Sequence, residues 1–268
     1  MSYTHRLQGS RFELKYVISE STARGVRDFA LGYLEPDPHA DPARNCEYEV
    51  HSLYLDGPDL RLCKSTMWGL KNRYKLRIRF YDESPETPAF LEIKRRQNDV
   101  ILKQRVPVRR SGVRQVLQGF WPRQEDVMDV SPRGQSALAE FCRLRDNIAA
   151  RGMCFVSYHR EAYVTPRDDT LRVTFDRRVH GVWYAEDGTL AMRDRRVYPA
   201  VPGVILEIKF TNRFPVWMRD MARHFNLYRE SMAKYVACLV ALGPEALENL
   251  GHRDAIEWRN PRIEEPVG

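Results

Sequence analysis

The sequence has no run of about 18 apolar residues, so it offers no segment able to cross a bilayer as a helix. Arg6, Arg11, Glu13 and Lys15 are spread through the first twenty residues, which leaves no apolar core for a secretion signal. Cysteine is sparse: Cys46, Cys63, Cys142, Cys154 and Cys238 are odd in number, widely spaced and without a C-x-x-C pair. This argues against a disulfide framework or zinc ribbon and for a reducing compartment. The seven histidines, His5, His39, His51, His159, His180, His224 and His252, lack metal-ligand spacing and read as surface or packing residues. No solenoid repeat and no linker divides the chain. The expectation is a cytoplasmic protein with one domain over residues 1–268, its core at about 10–242 and a loosely held tail at 243–268.

Charge is present in quantity. A hydrophobic content of 43% can fill a core, and a formal charge of +7 favours polyanionic partners: nucleic acid, an anionic membrane or a phosphate compound. Three consecutive segments concentrate this charge. Read at period two, Arg73, Lys75, Arg77 and Arg79 lie opposite Tyr74, Leu76, Ile78 and Phe80. Glu92, Lys94 and Arg96 lie opposite Leu91 and Ile93, and Lys103 and Arg105 opposite Leu102 and Val106. Paired as hairpins, these strands would set like charges side by side, which destabilises a ladder unless an anion completes it.

The same alternation recurs along the chain. Arg11 to Ile18 is a strand with Arg11, Glu13 and Lys15 on one face. Ser19 to Leu34 has helical spacing with Ser19 or Ser21 as N-cap, and Pro36 to Arg44 is a loop. Tyr48 to Asp56 reads as a strand, Asp59 to Lys64 as a helical turn and Ser111 to Gln118 as a short helix. Ser131 and Pro132 open a long helix through Leu138, Phe141, Leu144 and Ile148. Cys154 to Val164 is a strand with Tyr158 and Arg160 on one face. After a turn at Asp168-Asp169, a further strand puts Arg172, Thr174, Asp176 and Arg178 together. Asp187-Gly188 suggests a hairpin between Val182 to Tyr184 and Leu190 to Met192. Val204 to Phe210 is the last strand, with Glu207 and Lys209 on one face. Helices start at Pro215 and, capped by Ser231, run to Leu242.

Such strands can form an open sheet with a wet ionic face, or close into a barrel lined by charge. A solvated face ordinarily mixes both signs with Ser, Thr and Gln. Here Lys15, Arg77, Arg79, Lys94, Lys103, Arg105, Arg160, Arg172 and Lys209 dominate one parity, with carboxylates only at Glu13, Glu92, Asp176 and Glu207. That is the composition of a polyphosphate site: forks and ammonium groups for phosphate oxygens, a few carboxylates for a divalent metal. Nucleic acid is disfavoured, because single-strand binders stack bases on aromatics that share the cationic face. Here Phe12, Tyr16, Tyr74, Phe80, Phe175 and Phe210 lie on the other parity, with Tyr81, Phe90 and Tyr158 as exceptions.

The motifs Arg-x-Glu-x-Lys-Tyr (11–16), Lys-x-Arg-x-Arg-x-Tyr (75–81), Leu-Glu-Ile-Lys (91–94 and 206–209), Lys-x-Arg (103–105), Tyr-x-Arg-x-Ala-Tyr (158–163), Arg-x-Thr-x-Asp (172–176) and Ser-x-x-Lys-Tyr (231–235) occur in this order. Together they resemble the polyphosphate polymerase domain of the vacuolar transporter chaperone (VTC) type, within the CYTH-like triphosphate tunnel group. The resemblance covers about residues 10–242. It implies an α+β fold: a closed antiparallel β-barrel, or tunnel, of about eight strands with a cationic interior, jacketed by helices. It also implies a metal-dependent enzyme, using Mn²⁺ or Mg²⁺, that moves the terminal phosphate of ATP onto inorganic polyphosphate, with a membrane-protein partner suggested by eukaryotic members. Carried over by position, Lys15, Arg77, Arg79, Lys94, Lys103, Arg105, Arg160, Arg172, Lys209 and Lys234 hold phosphates. Of these, Lys15, Arg77, Arg79, Lys94, Arg160, Arg172 and Lys234 are the catalytic set. Glu207 is the chief metal ligand, with Glu13 and Glu92 as further ligands. The related hydrolases carry two glutamates in their first strand where this chain has Glu13 alone, so a tripolyphosphatase is the alternative, and a non-catalytic polyphosphate or nucleic-acid binder a third reading.

Overall fold

The computed structural model describes residues 11–40, 43, 45–98, 100–166, 170–192, 195–211, 213–230 and 232–243. In chain order these form β1 (Arg11–Ile18), α1 (Glu20–Ala30), β2 (Glu35–Pro36), β3 (Glu47–Asp56), α2 (Arg61–Met67), β4 (Asn72–Phe80), β5 (Ala89–Gln97), β6 (Val100–Val108), α3 (Arg110–Leu117), α4 (Pro132–Asn147), β7 (Arg151–Val164), β8 (Leu171–Trp183), β9 (Arg196–Val197), β10 (Val204–Thr211), α5 (Val216–His224) and α6 (Lys234–Ala241). The strands make one antiparallel sheet in the order β1-β10-β8-β7-β3-β4-β5-β6, with β2 added to β7 and β9 to β8. No helix among the described residues is long and apolar enough to cross a membrane.

Period-two alternation gives β1, β4, β5, β6, β8 and β10 an apolar outer face and an inner face rich in ionic residues. Phe80, Leu91 and Val106 pack outward against α3 and α4, where Val113, Phe141 and Leu144 complete one core. Tyr16, Phe175 and Leu206 pack outward with α1 and α5 through Val26, Met218 and Met221. Each of the large side chains so buried contributes about 1.5–3 kcal/mol. A third cluster lies on the inner face: Tyr54, Cys154, Tyr158 and Ile205 receive Tyr235, Cys238 and Leu239 of α6. Gly181 allows this approach, since a Cβ there would stand 2.8 Å from the Cβ of Cys238.

The sheet curls until Cα atoms of its edges, β1 and β6, come within 8 Å of each other. No ladder joins them among the described residues, so the expected closed barrel is a rolled sheet with one seam. The ionic face is inside the roll, because Lys94 of β5 reaches Glu13 of β1 across that seam at 2.8 Å.

Several sequence expectations need correction. The hairpin partner of β8 is Arg196–Val197, which pairs with Val182 and Gly181, and not Leu190 to Met192. Asp187-Gly188 is instead a bend, in which the Asp187 carboxylate accepts from the Thr189 N–H, and Leu190 turns into the core beside α3 and α4. Arg178 leaves the ionic face: its φ of +51° breaks the alternation of β8 next to the register shift opposite Ser157 and His159. A two-residue strand, Glu35–Pro36, stands where a loop was expected to begin; its proline sits on the sheet margin, where a missing N–H is tolerated. The last helix starts at Lys234 with Ala233 as N-cap. The proposed cap Ser231, the Asp168-Asp169 turn and the tail beyond 243 lie outside the described residues.

Candidate functional site: an ionic pool inside the rolled sheet

Strand register places the inner side chains in rows. Lys15 of β1 faces Glu207 of β10, which faces Thr174 of β8, while Glu13 faces Lys209 and Lys209 faces Arg172. On the other half, Arg77 of β4 faces Glu92 of β5, which faces Arg105 of β6.

Glu207 is the centre of the first half. Its Oε1 accepts from Lys15 Nζ at 2.9 Å and from Lys234 Nζ at 2.8 Å, and its Oε2 accepts from Lys209 Nζ at 2.9 Å. Arg160 stands 3.6 Å away. Lys234, the first residue of α6 and 8% exposed, also reaches Asp176 at 2.6 Å. Arg160 grips Asp176 with two parallel bonds of 2.7 Å, the fork geometry only guanidinium provides. Burial pushes the Glu207 carboxyl up, but Lys15, Lys209, Lys234 and Arg160 outweigh it and hold it well below the carboxylate range. Burial likewise opposes the charge of Lys15, and Glu207 with Glu13 overrides it, raising that amine above the usual lysine range.

Glu92 is the centre of the second half and is fully buried. Arg77 Nε donates to it at 2.7 Å, Lys103 Nζ stands 2.8 Å away, and Arg79 and Arg105 stand 3.9 and 3.7 Å away. Its carboxyl is held well below the ordinary range because Arg77, Arg79 and Lys103 outweigh the burial that would raise it. The halves meet at Tyr158: its hydroxyl accepts from Arg79 at 3.2 Å, while Arg160 and Lys234 lie 5.1 and 4.9 Å from its ring centre.

Two ion-pair clusters result: Lys15, Lys94, Arg160, Lys209 and Lys234 are joined through Glu13, Asp176 and Glu207, and Arg77, Arg79, Lys103 and Arg105 through Glu92, with Tyr158 between the two. Arg172 stands apart, paired with Asp37 at 2.5 Å and donating to the Tyr48 hydroxyl at 3.1 Å. Asp37 was expected in a loop and carried no signal for this role. Tyr54 and Ser52 were also missed; they accept from Arg77 and Arg79 and share the inner parity of β3. Lys75 lies on the inner face among Lys15, Lys94, Arg73 and Arg77. Burial, then those like charges, lowers its amine to about 7. Glu161 and Arg177 pair with each other at 2.7 Å on the outer face.

An inward-facing pool of cations, balanced by a few buried carboxylates, lines the inner face of this α+β fold. The chain belongs to the VTC domain family, whose model matches residues 10–242. No curated protein matches it. Among solved structures, a candidate adenylate cyclase of Bacillus halodurans shares 14% identity over 84% of this chain and 94% of that one, with a TM-score of 0.47. A candidate adenylyl cyclase of Hippeastrum, described as having a dominant triphosphatase activity, shares 14% over 86% and 94%, with a TM-score of 0.45. A protein of Pyrococcus horikoshii shares 14% over 87% and 99%, with a TM-score of 0.44.

Proposed function

We propose that this protein is a metal-dependent polyphosphate polymerase that transfers the terminal phosphate of ATP to a growing polyphosphate chain along the inner face of a one-domain tunnel. The seam between β1 and β6 would be bridged sideways by the Glu13–Lys94 pair. The observation that supports this most is the gathering of the cations: guanidinium and ammonium groups from six strands and α6 line one inner face in two ion-pair clusters that meet at Tyr158. Phosphoryl transfer asks a protein to align the reacting oxygens and stabilise charge, and needs no covalent nucleophile. Arg79, Arg160 and Lys234, gathered at Tyr158, would hold the transferring group. Lys15, Arg77, Lys94, Lys103, Arg105 and Lys209 would hold its neighbours, and Arg172 would hold phosphates near Asp37. In each case an ammonium or guanidinium exchanges a carboxylate oxygen for a phosphate oxygen. The acceptor is a phosphate oxygen that is already ionised, so no general base is required.

Glu207 and Glu13 offer buried hard oxygen atoms, and their charges repel one another at short range. They fit Mn²⁺ or Mg²⁺ bound jointly with phosphate oxygens, whose charge the ion would neutralise during transfer. Among the described residues no group of three or more His, Cys, Asp or Glu is set to hold a metal alone, which suits an ion that arrives with its phosphates. Glu92 suits that role poorly, being enclosed by Arg77, Arg79, Lys103 and Arg105 as their counter-charge.

One observation favours a second reading, a non-catalytic polyphosphate binder: Glu13, Glu92 and Glu207 are all engaged by cations already. The deciding experiment incubates the purified protein with ATP and Mn²⁺ and resolves polyphosphate by gel, with free phosphate assayed in parallel. A ladder of chains with ADP supports the polymerase. Free phosphate without chains replaces it with a tripolyphosphatase, and neither product leaves the binder.

A further inference from the structure

A second cavity lies on the other face of the sheet, apart from the ionic pool. Register sets His51 of β3 opposite Ser157 of β7 and Ser157 opposite His180 of β8, and in the next row Glu49 opposite His159. This is the outer parity of β3, since Ser52 and Tyr54 point inward to Arg79 and Arg77. The three imidazoles line a cavity of about 400 Å³ with Glu47, Glu49, Asp82 and Glu83, and Arg196 is the one guanidinium among the lining residues. Arg177 stands 3.5 Å from Glu47 and Arg110 3.8 Å from Asp82. Glu49, by contrast, pairs with His51 at 3.2 Å and His159 at 3.6 Å, and Glu83 accepts from the Met192 N–H. In a chain of net charge +7, these two carboxylates have no lysine or arginine ion pair among the described residues. His180 gives the sharper sign of a missing ligand. Its ring is 7% exposed, and its Nδ1 lies 3.1 Å from the Arg178 carbonyl oxygen. A carbonyl only accepts, so Nδ1 carries the proton and Nε2 presents a lone pair. That Nε2 is buried with no hydrogen-bond partner among the described residues. Burial, with Arg196 adding to it, lowers the pKa of this imidazole and so disfavours satisfying the lone pair with a proton.

The unmatched groups here are all acceptors, the reverse of the inner face. We propose that this outer cavity binds a small protonated alkyl diamine, with one ammonium donating to His180 Nε2 and Glu49 and Glu83 balancing the two charges. An ammonium brings three N–H donors and a positive charge, which is what an orphaned lone pair beside unpaired carboxylates calls for. The volume decides between an organic cation and a bare ion: it falls in the range of about 300–1,000 Å³ typical of small-molecule sites. No group of three or more His, Cys, Asp or Glu among the described residues is set to hold a metal, which points the same way. Tyr48 also lines the cavity, and its hydroxyl accepts from Arg172, so the occupant lies against the rim of the ionic pool without sharing its cations. The inference is independent of the polyphosphate reading.

The test is calorimetric titration with 1,4-diaminobutane in the absence of phosphate compounds, beside its bis(trimethylammonium) analogue, which keeps both charges and has no N–H, and beside Zn²⁺. The expected result is one diamine per chain, with the analogue bound roughly tenfold less tightly because it cannot donate to His180. His180→Phe and Glu49→Gln are each expected to weaken the diamine roughly tenfold, and Glu83→Gln, at an exposed position, about fivefold. Far-ultraviolet circular dichroism checks that the variants fold; if His180→Phe does not, the analogue and the two exposed glutamate variants decide. Absence of diamine binding, equal affinity for the analogue, or affinity unchanged in the variants overturns the site. Zn²⁺ binding in place of the diamine, lost in the same variants, makes the cavity a metal site and overturns the proposal as well. None of these outcomes bears on the proposed polymerase.

Discussion

At Glu207 four cations converge on one carboxylate that is 4% exposed. Replacing it by glutamine keeps the shape and removes the charge that balances Lys15, Lys209, Lys234 and Arg160. Leaving buried charges uncompensated in this way is expected to cost about 3–5 kcal/mol, read from urea unfolding. Under the proposed function, Glu207→Gln also lowers turnover more than about a hundredfold while tripolyphosphate binds as tightly as before or tighter, since the cations lose their internal competitor. Loss of binding together with turnover would contradict that division of labour.

A second residue-scale case is Asp56, buried at the foot of α2. Its carboxylate accepts from the N–H groups of Gly57, Leu62 and Cys63 and from the Tyr235 hydroxyl at 3.0 Å. Burial still wins and raises its carboxyl to about 6. A carboxyl raised on folding contributes stability that is fully present below its unfolded value and is lost as pH rises through about 6. Tyr235→Phe removes a donor to the ionised form. It is expected to cost about 1–2 kcal/mol at pH 8 and clearly less at pH 5. Chemical unfolding at the two pH values checks the sign.

At the scale of elements, α6 decides whether the network is complete. Its first residue supplies Lys234, its second stacks on Tyr54 at 4.7 Å between ring centres, and Tyr54 in turn accepts from Arg77. The helix can sit this deep only because β8 carries Gly181 beneath Cys238. Gly181→Val forces β8 and α6 apart, an overpacking expected to cost about 1–3 kcal/mol. With Lys234 displaced, tripolyphosphate affinity is expected to fall by roughly tenfold with the far-ultraviolet circular dichroism unchanged. Unaltered affinity would mean that Lys234 does not reach the ligand.

On the scale of the whole molecule, the rolled sheet stores like charge and binding releases it. Burial with the surrounding cations lowers Lys75 and Lys103 to about 7. Burial likewise lowers Lys94 to about 8, although Glu13 pulls the other way. Lysines lowered on folding bind fewer protons than in the unfolded chain, so stability from these groups rises with pH from about 7 toward 10.5. A polyphosphate reverses the balance by stabilising the charged amines. Binding at pH 8 is therefore expected to take up protons, and affinity to fall as pH rises from about 7 to 9. Calorimetry in MOPS and Tris buffers, whose ionisation heats differ, measures the uptake directly; proton release would contradict the picture. Added salt should weaken binding as well, through screening of the same cations.

The sequence by itself determined what is local. Ser131 and Pro132 start α4, with the Ser131 hydroxyl accepting from the Gly134 N–H at 3.1 Å, and Ser19 caps α1 in the same way at 3.0 Å. Strand alternation separated Phe80, Leu91 and Val106 from Arg79, Glu92 and Arg105, because side chains of an extended chain change face at every residue. The ionic face followed from that period, and the α+β fold from the family resemblance that the motifs carry. Tertiary structure alone decided how those faces close on each other: the seam between β1 and β6, Lys94 reaching Glu13, Asp37 drawn to Arg172, and Arg178 turned out of β8. Each depends on groups far apart in the chain, or on a backbone irregularity that frees a side chain from its expected face. Charges interact through space by distance and burial, and a pattern along the sequence specifies neither.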